Sequence, residues 1–116
     1  MGMDITPHGG PLEFEGIEIH WGYSSSNHIA DAIGIAPFAT EDACSGSMPT
    51  HELLVACGTY LRTARPEYVF PTDIEHFNPG VGIRVLSEID TVRRVKNLYD
   101  LCAAALWQGH TKIVWG

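Results

Sequence analysis

From Val85 onward the apolar residues Ile89, Val92, Val95, Tyr99, Cys102 and Leu106 follow one another at steps of three or four, the spacing of a single stripe on an α-helix. Leu98, Leu101 and Ala105 widen the stripe, and Asp90, Arg94 and Asn97 lie opposite it. No other stretch constrains the chain as strongly, because a helix of about twenty residues with one apolar face must lay that face on a sheet or on other helices. Ser87 followed by Asp90 marks its start as a variant capping box. A start at Asn78-Pro79 would put Gly80 and Gly82 into the first turns at about 1 kcal/mol each relative to alanine. Gln108-Gly109 offers a left-handed cap at the far end. With β-prone Ile83 to Leu86 before it and Lys112 to Trp115 after it, the segment 80–116 reads as strand, helix, strand, with a right-handed crossover if both strands share one sheet.

The remaining segments predict a small α+β domain: an N-terminal β-hairpin and a mixed sheet packed against two main helices. Leu12-Glu13-Phe14 and Ile17 to Trp21 alternate apolar and polar residues, with a change of phase across Glu15-Gly16 that suits a hairpin turn. Residues 1–11, with Pro7, Gly9, Gly10 and Pro11, read as an irregular lead-in. A short helix over His28 to Ile33 stops at Gly34. Residues 35–47 read as a loop, with Ser47 capping a helix that runs to about Thr63 on a stripe of Leu53, Cys57, Tyr60 and Ala64. Glu67 to Phe70 reads as a strand between Pro66 and Pro71, and residues 71–82 as a long loop.

One domain suits 116 residues of which 45% are hydrophobic, a length that can bury a core without disulfides or metal. Fourteen acidic against seven basic side chains give a net charge of -7, which opposes non-specific nucleic-acid binding. Cys44, Cys57 and Cys102 lack CxxC spacing and suit a reducing compartment. With no leader pattern and no membrane-length apolar run, the expected location is cytoplasmic and no membrane partner is expected. His8, His20, His28, His51, His76 and His110 are too scattered for a metal site, so no metal and no cofactor are expected. Pro79-Gly80-Val81-Gly82 falls short of a dinucleotide-binding loop. Cys44-Ser45-Gly46-Ser47 has no nucleophile elbow.

The leading candidate site is the run Tyr23, Ser24, Ser25, Ser26 and Asn27, whose hydroxyls and backbone N–H groups at a helix start can receive phosphate or carboxylate, with residues 24–27 forming the rim of a pocket. The plainer account of the same residues is helix capping. Arg62 and Arg65, three apart near a helix C-terminus, are placed to clamp an anion toward the loop at 71–82. These residues predict a non-catalytic protein that captures a small polar or phosphorylated ligand, possibly a nucleotide. The alternative is an acidic inhibitor or interaction protein that engages a basic protein partner. Homo-oligomerisation, with Trp107 and Trp115 at the interface, is a further expectation.

The segment Ile19-His20-Trp21-Gly22-Tyr23-Ser24, followed by a short helix, loosely resembles the strand-to-helix segment of ADP-ribosyltransferase-like proteins. In those proteins a His-Gly-Ser/Thr segment contacts the nicotinamide nucleotide, which implies a third reading, an NAD-using enzyme. Trp21 between His20 and Gly22 departs from that motif, and the positions available for the later catalytic glutamate are Glu75 and Glu88.

Overall fold

A computed structural model describes residues 2–69 and 88–116. Strand β1 (Gly2–His8) is followed by β2 (Ile19–Gly22), helix α1 (Tyr23–Ile33), β3 (Gly46–Pro49), α2 (Thr50–Thr63), the single turn α3 (Pro66–Val69), α4 (Glu88–Trp107) and β4 (Lys112–Trp115). The strands form one sheet in the order β2-β1-β4-β3, and every neighbouring pair is antiparallel. The fold is α+β, as the pattern predicts. Among the described residues the sheet is antiparallel, where a mixed one is expected, and the two main helices, α2 and α4, pack on it together with the shorter α1.

Alternation along the strands sends Met3, Ile5, Ile19, Trp21, Ile113 and Trp115 to one buried face and leaves Asp4, His8, His20, Ser47 and Lys112 exposed on the other. Onto the buried face α1 brings Ile29, Ala30 and Ile33, α2 brings Leu53 and Cys57, and α4 brings Val95, Leu98, Leu101, Cys102 and Ala105. The α4 stripe lies slightly aside from its predicted line: Tyr99 is only half-buried and Leu106 is exposed, while the widening residues Leu98, Leu101 and Ala105 are fully inside. Gly109 closes the helix as predicted, at φ 83°, with its N–H donating to Leu106 O at 3.0 Å and the His110 N–H donating to Ala105 O at 2.8 Å.

Several predicted elements are corrected by pairing partners remote in sequence. The expected lead-in over residues 1–11 contains β1, and the hairpin partner of β2 is this strand, in the register Met3↔Trp21 and Ile5↔Ile19. Leu12 to Phe14 is no strand, and Leu12 and Ile17 are 80% and 90% exposed. Ser47 belongs to β3, so α2 begins at Thr50, whose N–H donates to Thr111 O at 3.0 Å. Over the described part, 67–69, the expected strand 67–70 is replaced by α3: the Tyr68 and Val69 N–H groups both donate to Arg65 O, and Pro66 takes the first helical position, where its missing N–H costs nothing. The strand expected at Ile83 to Leu86, the cap at Ser87 and the loop at 71–82 lie outside the described residues.

Burial pushes the Cys57 thiol up to about 12 and raises that of Cys102, which also feels Cys57; Cys44 is exposed. In the folded protein at about pH 8, Cys44 alone is expected to react rapidly with a chromogenic disulfide, whereas denaturant releases all three thiols. A raised folded value means that the stability contributed is complete below the unfolded thiol value, roughly 8.5, and declines as pH rises toward the folded one. The melting temperature should therefore fall through this alkaline interval, less steeply in Cys57→Ala. Two or more thiols reacting at one rate in the native protein would overturn this assignment.

Candidate functional site

Tyr23 to Asn27 lie inside the first turns of α1 and not in a loop before it. The helix starts after Gly22 without any side-chain cap, so the capping account does not describe these residues, and the polar groups stand on the helix itself. Burial of Ile29, Ala30 and Ile33 outweighs the weak helix preference of three successive serines. Ser26 is fully buried and its hydroxyl donates to Tyr23 O at 2.9 Å. Asn27 grips the loop ahead of β3: its Nδ2 donates to Ala39 O at 2.8 Å, and the Ala39 N–H donates to its Oδ1 at 3.0 Å. Tyr23 and Ser25 are half-buried, and Ser24 is exposed.

Arg62 and Arg65 are exposed at the junction of α2 and α3. The Arg65 guanidinium lies 5.6 Å from the centre of the Tyr68 ring, and Arg62 lines a groove with Leu54, Val55, Val69, Lys96 and Tyr99. No residue of the Tyr23 to Asn27 run lines that groove. His20 stands on the exposed sheet face, where its Nδ1–H donates to Asp4 Oδ1 at 2.6 Å, and Glu88 opens α4. His110 accepts the Gly10 N–H on Nδ1 at 3.1 Å, which leaves the proton of the neutral ring on an enclosed Nε2 with no partner among the described residues. Among the described residues no three His, Cys, Asp or Glu side chains come together in a way that could hold a metal ion. Among them, too, no helix is long and apolar enough to cross a membrane.

A second groove lies elsewhere. Between β2 and α4 runs a groove of about 490 Å³, lined by Phe14, Ile17, Glu18, Ile19, His20 and Trp21 on the strand side and by Asn97, Asp100, Leu101 and Ala104 on the helix side. The chain before β2 is held there by Gln108 at the end of α4, whose Oε1 accepts the Glu15 N–H at 2.9 Å and whose Nε2 donates to Glu15 O at 2.7 Å. This clamp leaves Ile17, 90% exposed, as an apolar lip of the groove. Glu18 and Asp100 bring two carboxylates to the lining, which contains no lysine or arginine among the described residues. Arg94, a turn before Asn97, lies over the Trp21 ring at 6.0 Å from its centre.

Sequence reasoning missed this groove because its walls come from residues about eighty positions apart. The available signal was Ile17, an apolar residue beside a strand with no place in the alternating core pattern. The expectation that Trp115 serves an interface is also corrected: its side chain is buried and its Nε1–H donates to Phe38 O at 2.9 Å, while Trp107 is 91% exposed. Comparison with protein-family models, curated proteins and solved structures gives no match.

Proposed function

We propose that this chain is a non-catalytic interaction domain that holds a basic segment of a protein partner in the groove between β2 and α4. The observation that carries the reading is the lining of that groove: apolar Phe14, Ile17, Leu101 and Ala104 beside the carboxylates of Glu18 and Asp100, with no lysine or arginine among the described residues that line it. The net charge of -7 favours the same partner at longer range, since an acidic surface speeds encounter with a basic one. The reading built on Tyr23 to Asn27 with Arg62 and Arg65 has less support, because Ser26 and Asn27 are committed to internal hydrogen bonds and Arg62 lines a groove that none of the run Tyr23 to Asn27 lines.

The expected result is that a short labelled peptide alternating lysine and valine binds the protein, as read by fluorescence anisotropy, and that binding weakens as salt is added. A glutamate-valine peptide should not bind. The double variant Glu18→Lys with Asp100→Lys should lower affinity for the lysine peptide at least tenfold, about 1.4 kcal/mol, with an unchanged thermal melt because both side chains are exposed. Equal binding of the two peptides, or no binding of either, refutes the reading.

A further inference from the structure

We infer that the partner segment enters this groove in extended form and pairs with the free edge of β2 as a fifth strand, an inference that rests on the interaction-domain reading above. The direction of the backbone groups follows from one pair of hydrogen bonds. Asp4 N–H donates to Gly116 O at 3.0 Å and Gly116 N–H donates to Asp4 O at 3.2 Å, so the peptide groups of Asp4 face β4. In an antiparallel ladder, successive residues face opposite sides. Met3 and Ile5 therefore face β2 and bond with Trp21 and Ile19, their register partners. His20 and Gly22 are left facing away from the sheet, and β2 has no neighbour on that side among the described residues.

The same alternation tests the other exposed edges. Thr6 and His8 face β4, so Pro7 turns toward the side on which β2 has already ended; Met48 faces β4 through Ile113, so Pro49 turns outward from β3. Both prolines thus sit where a strand would otherwise offer an outward N–H, the usual way of blunting an edge against pairing. The edge of β2 carries no proline. It offers the N–H and C=O of His20 and the N–H of Gly22, and it alone borders the groove whose opposite wall is α4.

Addition of an extended peptide to such an edge supplies affinity through main-chain hydrogen bonds and specificity through alternate side chains. One set of side chains would descend between Ile19, Trp21, Leu101 and Ala104, and basic residues would meet Glu18 and Asp100. A second copy of this chain is disfavoured as the occupant, because each copy carries a net charge of -7.

Two forms of the lysine-valine peptide separate the possibilities, one N-methylated at every lysine and the other at every valine. A strand turns the N–H groups of alternate residues toward its neighbour, so one form is expected to lose affinity at least about tenfold and the other to bind as the parent does. Amide hydrogen exchange followed by NMR should show the His20 N–H becoming protected when the parent peptide binds, with little change at Ile19 and Trp21, which already face β1. If the parent peptide binds and both methylated forms behave alike, or His20 gains no protection, strand addition is wrong while the interaction-domain reading stands. If no parent peptide binds, the underlying reading itself falls. Protection of His20 that grows with protein concentration in the absence of peptide would assign the edge to a second copy and overturn the proposal.

Discussion

Trp115→Ala is expected to lower the folding free energy by about 3–5 kcal/mol, the range for emptying an aromatic core site, and so to remove much of the stability of a domain this small. The indole packs edge-on against Phe38, with ring centres 4.9 Å apart and planes at 83°, and donates its N–H to Phe38 O. Gly46 on β3 makes room for it, since a Cβ there would stand 2.9 Å from the ring. Trp115→Phe should recover most of the packing and still leave the Phe38 carbonyl without its donor, at about 1–3 kcal/mol. Trp107→Ala, at an exposed position, should change stability by no more than about 0.5 kcal/mol. Urea titrations followed by far-UV circular dichroism give all three values. Equal losses for Trp107→Ala and Trp115→Ala would contradict the placement of the C-terminal strand.

The next largest effect is expected at Asn27, where truncation to alanine should cost about 1–3 kcal/mol by leaving both peptide groups of Ala39 without their partner. Capping would have predicted a shared loss for Ser25 and Asn27. The structure assigns the loss to Asn27 alone, through the loop it holds, and Ser25→Ala should lie within about 0.5 kcal/mol of the parent. Asn27→Asp separates the two halves of the clamp, since a carboxylate can accept the Ala39 N–H and cannot donate to its carbonyl. Thermal melts of the three variants decide the matter; a Ser25→Ala loss as large as that of Asn27→Ala would restore the capping account. Asn27 and Trp115 hold adjacent residues, Ala39 and Phe38, from α1 and β4, so their losses should be non-additive in the double variant.

What the amino-acid sequence determined by itself is the part whose physics is local. The apolar period of α4, the left-handed closure at Gly109 and the alternation of Lys112 to Trp115 each act within a few residues of themselves, and α4 and β4 appear where those signals place them. The stop of α1 at Gly34, φ 78°, is legible for the same reason. What only the tertiary structure decided depends on groups far apart in the chain. Gly2–His8, which runs into the breaker cluster Pro7, Gly9, Gly10 and Pro11, becomes a strand because β2 and β4 take up its backbone bonds on either side. The serines after Gly22 become helix because the residues behind them are buried, and that burial turns Asn27 from a cap into a clamp. The groove beside β2 exists only once α4 is laid against the sheet and Gln108 holds Glu15, since a free strand edge and a helix wall become neighbours through packing and not through sequence.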